Sequence, residues 1–78
     1  MFGFDRITFD PEILGGRACI RGMRISVALV VNLVAHGMTP EEIVAEYPDL
    51  ELEDVQQALQ YAAWAAEDVL YIPAGVPA

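Results

Sequence analysis

Residues 15–27 read Gly-Gly-Arg-Ala-Cys-Ile-Arg-Gly-Met-Arg-Ile-Ser-Val, and the chain divides around them. Three of the four basic residues, Arg17, Arg21 and Arg24, fall in this stretch, with three of the six glycines. The pair Gly15-Gly16 predicts a turn that needs positive φ at one position. Residues 17–20 then read as a short strand, Gly22 breaks it, and Ser26 offers a hydroxyl to cap a following helix. The stretch therefore joins an extended arm to a helical body.

Upstream, Ile7 and Phe9 alternate with Arg6 and Thr8 as in a strand, and Asp10-Pro11-Glu12 opens a turn. Downstream, a first helix is expected over residues 27–36, closed by Gly37. Its β-branched valines suit a strand equally well; length and the caps decide for helix. A second helix starts at Thr39, with Pro40 in its first position and Glu42 completing a capping box, and ends before Pro48. A third runs from about residue 52 to 68. The 3.6-residue period assigns Leu52, Val55, Leu59, Ala62 and Ala66 to its core face and Gln57, Tyr61, Trp64 and Asp68 to the opposite side. The expected fold is mainly α: a three-helix, homeodomain-like or helix-turn-helix unit with a short N-terminal β arm. It forms one domain over residues 1–68, with the arm at 1–25 and the helices at 26–68. Residues 69–78, with Pro73, Gly75 and Pro77, are expected to form an extended tail.

Composition constrains the function further. The chain has 78 residues, 55% of them hydrophobic and 21% charged. A domain of this size buries only about 60% of the surface its unfolded chain exposes. The first helix is apolar nearly all round, and two short helices and a ribbon are not expected to cover Leu29, Val30, Leu33 and Val34 together. A homodimer is therefore expected, with those four residues in its interface. Charge is divided unequally. All four arginines precede residue 25, whereas nine of the twelve acids follow it. With one cysteine, Cys19, and one histidine, His36, neither an internal disulfide nor a Cys/His metal cluster is available within one chain. No secretory leader or membrane span is legible, and the expected setting is the cytoplasm.

Several pieces of the chain match a known family: Asp10-Pro11-Glu12-Ile13, Gly15-Gly16-Arg17, Cys19-Ile20-Arg21-Gly22, Arg24-Ile25, Gly37-Met38-Thr39 with Glu41-Glu42-Ile43, Tyr47-Pro48-Asp49-Leu50 and Glu53-Asp54-Val55. On these the chain resembles the bacterial domain-of-unknown-function 433 family over residues 6–63. Three positions depart from that pattern: Ala18 replaces a usual proline, Met23 a common threonine, and Glu51 a threonine or serine that would cap the third helix. The resemblance implies a homeodomain-like fold. It also implies the role of antitoxin in a toxin–antitoxin pair, with a PIN-like ribonuclease as the toxin and partner.

Each candidate site residue has two readings. Arg17, Arg21 and Arg24 contact phosphate or the acidic metal site of a PIN-like nuclease, or else they pair with the chain's own acids. Tyr61 and Trp64 either anchor an interface or are covered by Leu70 and Ile72 of the tail. DNA contact is expected from the arm of a dimeric regulator, if at all. The second and third helices carry acids and no Arg or Lys, which suits the major groove poorly. His36 sits near a helix end with no catalytic companion in sequence. No catalytic residues, no metal site and no cofactor are therefore expected, and the chain is not read as an enzyme.

Overall fold

A computed structural model describes residues 3–69 of the chain. The arm contains two short strands, β1 (Ile7–Phe9) and β2 (Ala18–Ile20), paired antiparallel with Ile7 opposite Ile20 and Phe9 opposite Ala18. Three helices follow: α1 (Val27–Ala35), α2 (Pro40–Glu46) and α3 (Leu52–Val69). The described chain is thus a mostly helical small domain with a two-stranded sheet at its N-terminal end. Val69, expected in the tail, ends α3, and the rest of the tail, with Leu70 and Ile72, lies outside the described residues.

Local signals start and stop each helix. The Ser26 hydroxyl accepts the Leu29 N–H at 3.0 Å. Thr39 and Glu42 form both halves of a capping box, at 3.1 and 2.8 Å. Glu51 has no hydroxyl with which to cap α3, but Asp54 compensates: its carboxylate accepts the Glu51 N–H at 2.8 Å.

The two glycine turns differ. Leu14, Gly15 and Gly16 all have positive φ. Between Ile20 and Met23, Arg21 (φ 45) and Gly22 (φ 73) are both left-handed, and the Met23 N–H donates to the Ile20 carbonyl at 2.8 Å. Two such central residues define a type I′ turn, whose twist matches a tight hairpin. The hairpin closes through Ile20 N–H to the Ile25 carbonyl and a bridge between Cys19 and Ser26. β2 is therefore flanked by β1 on one side and by the entry to α1 on the other.

The core joins the arm to the helices. Ile7 and Ile20 of the strands are buried with Val27 and Val30 of α1, Ile43 of α2, Leu50, and Val55 and Ala58 of α3. α1 packs on α3, α2 on α3, β2 on α1 and β1 on α3.

Two sequence expectations need correction here. Val30, assigned to a dimer interface, is fully buried in the chain's own core, because the arm covers a side of α1 that the helices alone leave open. Leu29, Leu33 and Val34 are half-buried, and the exposed stripe of α1 is Ala28, Asn32 and Ala35. On α3 the buried face is rotated from the expected one. Leu52 is 50% exposed and Ala66 is exposed, whereas Asp54 and Gln57 are buried.

Candidate functional site

Arg21 is held in its unusual backbone conformation beside a carboxylate. Its Nε donates to Asp54 Oδ1 at 3.0 Å and its terminal nitrogen to Oδ2 at 2.7 Å. The same nitrogen reaches the Asp49 carbonyl at 2.7 Å. Arg6 approaches from β1 and donates to Asp54 Oδ1 at 2.8 Å and Glu51 Oε1 at 2.7 Å. With the Glu51 N–H, both oxygens of Asp54 are bonded, and its side chain is fully shielded from solvent. One turn along α3, Gln57 accepts the Arg6 N–H at 2.6 Å and donates to Asp5 at 3.0 Å. Asp54 and Gln57 thus form a polar seam that fastens the arm to α3.

Burial by itself would raise the pKa of Asp54. The hydrogen bonds from Arg21, Arg6 and the Glu51 N–H outweigh it and hold the group at about 2, below its ordinary 3.8. Both guanidiniums are driven further toward the charged form, Arg6 by Glu51 and then Asp54, Arg21 by Asp54. The folded chain therefore favours the Asp54 carboxylate more than the unfolded chain does. That contribution is complete above the ordinary value and is lost as pH falls through the folded one. We expect the stability gap between the parent and Asp54→Asn to narrow by about 2 kcal/mol from about pH 4 to about pH 2. Urea titrations of both proteins across that range measure it, and a constant gap contradicts the seam as described.

Arg17 and Arg24 behave differently. Both are exposed, and neither forms an ion pair among the described residues. Of the three arginines proposed as partner contacts, all are exposed; Arg21 is ion-paired to Asp54, and the other two have no ion pair among the described residues. Asp54 and Gln57 were not singled out by the sequence reading. The available signal was an acid three residues after Glu51, at a helix start lacking its usual hydroxyl.

Beside Arg17 lies an apolar groove of about 510 Å³ between the helices. α1 contributes Ala28, Val31 and Asn32, and α3 contributes Tyr61, Ala62 and Ala65. Arg17 is the one charged residue in this lining. On the other side of Tyr61 the arm and α3 share an aromatic cluster. The rings of Phe4 and Tyr61 meet edge to face at 5.5 Å, Tyr61 and Trp64 lie 5.8 Å apart, and Phe9 and Tyr61 6.0 Å. Trp64 nevertheless remains 51% exposed and Phe9 45%. Of the two aromatics proposed for an interface, Tyr61 is half-buried and Trp64 is presented to solvent.

His36 bonds the Asn32 carbonyl at 2.7 Å, one turn back on α1. Among the described residues no helix is long and apolar enough to cross a membrane. No group of three or more His, Cys, Asp or Glu is placed to hold a metal ion among them.

Comparison with known proteins rests on the same segment. Residues 7–62 match the family described as "Protein of unknown function (DUF433)". The "Uncharacterized protein y4eO" of Sinorhizobium fredii is 38% identical over 56 residues, which cover 72% of this chain and 25% of that protein. The chain therefore spans about a quarter of that relative's length. A crystal structure of a DUF433 member protein from Anabaena variabilis superposes with a TM-score of 0.74 at 34% identity, over 82% of this chain and 63% of the other. The matched segment runs from β1 into α3 and takes in the arginine–glycine turn, Asp54 and Gln57: the chain belongs to the DUF433 family.

Proposed function

We propose that this protein is a small protein-interaction module, the antitoxin of a toxin–antitoxin pair, which binds and neutralises a PIN-like ribonuclease. One observation carries the reading. In a chain with twelve acids, Arg24 and Arg17 stand exposed with no acidic partner among the described residues, while Arg6 and Arg21 are ion-paired to Asp54. A guanidinium left outward on an acidic protein is matched to an acidic surface elsewhere. The active site of a PIN-like nuclease is a carboxylate cluster around a divalent metal. A guanidinium placed there competes with the metal and blocks the substrate phosphate. Arg24 is the plug, and the exposed Trp64 supplies the apolar anchor.

The three helices are read as a homeodomain-like unit, which raises DNA as a second ligand. The charges on α2 and α3 oppose it: Glu41, Glu42, Glu46 and Glu53 are all exposed. Contact with DNA would have to come from the arm.

The test is a search for a PIN-like protein encoded beside this chain's gene and, with it, a ribonuclease assay. The parent should form a stable complex and suppress cleavage. Arg24→Glu should restore cleavage with its circular dichroism unchanged, whereas Arg21→Glu should lose the folded signal. Full inhibition by folded Arg24→Glu removes the plug. Absence of a complex, with salt-dependent binding to promoter DNA in its place, replaces the reading with that of a transcriptional regulator.

A further inference from the structure

Helix α2 is flanked by a hollow on each side. Toward α3, Pro40 and Glu41 share about 350 Å³ with Leu52, Gln56 and Leu59. Toward the end of α1, Glu46 and Tyr47 share about 390 Å³ with Leu33 and Met38. Each hollow has mainly apolar walls and one carboxylate, and Leu52 in the first is left 50% exposed. Neither glutamate forms an ion pair among the described residues, and no Lys or Arg follows residue 24. Local chemistry accounts for Glu41, which sits at the positive end of the helix dipole. It does not account for Glu46, an acid in the last turn, where the dipole opposes it.

A long cationic side chain is the complement of such a hollow, since its methylene stem packs on apolar walls while its head meets a carboxylate. We propose that α2 is the docking surface for a basic segment of another protein, which lays one Lys or Arg side chain in each hollow, against Glu41 and Glu46. The two glutamates are five residues apart, so about 7.5 Å separates them along the axis and about 140° around it. Ala45 lies between them on the outer face and is exposed, so a partner backbone crosses α2 there without obstruction. The two carboxylates come roughly 14 Å apart, and residues four apart in an extended segment span about 13 Å. Charge limits the choice of occupant. With Glu42 also exposed on this face, nucleic acid and anionic membranes are disfavoured. A second copy carries the same net charge of −8 and is repelled at long range. The surface uses neither Arg24 nor Trp64, so it stands apart from the nuclease reading.

Fluorescence anisotropy of labelled hexalysine with the intact chain, in mildly acidic buffer at physiological salt, tests the proposal. The comparison peptide is a hexamer of diaminobutyrate, equally charged but with shorter stems. Hexalysine should bind about 5-fold tighter or more, because only its stems fill the hollows. Glu41→Gln, Glu46→Gln and Leu52→Ser should each weaken it about 3- to 5-fold. Glu12→Gln, at an exposed acid of the arm, should leave it unchanged. All four positions are exposed, so far-ultraviolet circular dichroism should be the same in every variant. Absence of binding overturns the proposal. Equal affinity for the two peptides also overturns it, as does equal weakening by Glu12→Gln, since the attraction then belongs to net charge and not to the hollows. Self-association of the chain in sedimentation equilibrium, abolished by Glu46→Gln, makes a second copy the occupant and overturns it too.

Discussion

Asp54→Asn should melt roughly 15 °C below the parent at neutral pH. Asparagine preserves the volume but not the chemistry. It removes the negative charge that two guanidiniums share, and it turns one acceptor oxygen into a donor facing Arg21 or Arg6. It also weakens the acceptor for the Glu51 N–H at the start of α3. Removing one partner of a buried ion pair costs about 3–5 kcal/mol. The arginine side chains here are 21% and 37% exposed and recover some hydration, so about 3 kcal/mol is the appropriate figure. In a domain of this size each kcal/mol moves the midpoint by about 4–8 °C. The consequence is also topological, since Asp54 ties β1, the type I′ turn and α3 together. Thermal melts followed by circular dichroism measure the effect, and a midpoint within a few degrees of the parent would show that the two arginines find equivalent partners.

Gly22→Val should cost about 2 kcal/mol or more, and by a different route. A Cβ at this position meets nothing within 4 Å, so there is no clash to relieve. The cost comes from φ of +73, where a β-branched residue is strongly disfavoured. Arg21 already occupies the left-handed region at φ 45, and a second non-glycine residue doubles the strain of the turn. The Gly22 N–H donates to the Thr8 hydroxyl at 2.8 Å, so a distorted turn also loosens β1. Urea midpoints should therefore rank Gly22→Asn nearest the parent, then Gly22→Ala, then Gly22→Val, because asparagine tolerates this region best. Equal midpoints for the three variants would show that the turn relaxes to ordinary angles. Gly75, the other glycine on which a comparison suggests itself, lies outside the described residues.

These two substitutions also mark how far the sequence is readable. The need for glycine at 22 follows from its place between a strand and a helix start. The left-handed Arg21 beside it does not, because arginine rarely adopts that conformation, and the Asp54 carboxylate that bonds its guanidinium is 33 residues away. Likewise, the resemblance of residues 6–63 to the DUF433 family is stated by the residues themselves, and the family match covers nearly the same segment. Which of its arginines find an acid within the chain is not stated by them. Arg17, Arg21 and Arg24 look alike in sequence; Asp54 engages one of them and leaves two.

The sequence by itself determined the helices, their caps, the two strands and the turns between them. Thr39 and Glu42, Ser26 and Leu29, and Gly37 after α1 act across three or four residues, so their effect is present wherever the segment goes. The tertiary structure decided which faces those helices bury. The 3.6-residue period of α3 offers an apolar stripe through Leu52, Val55, Leu59, Ala62 and Ala66, yet the helix is turned so that Leu52 and Ala66 are exposed and Asp54 is sealed. A carboxylate is not placed inside by its own preference, since its desolvation is unfavourable. It is placed there by Arg6 and Arg21, 48 and 33 residues away along the chain, which compensate that desolvation only once the arm has folded across the helix. The same fold covers Val30 and leaves Trp64 in solvent. Periodicity measures how apolar a face is, and only the packed arm determines which face it meets.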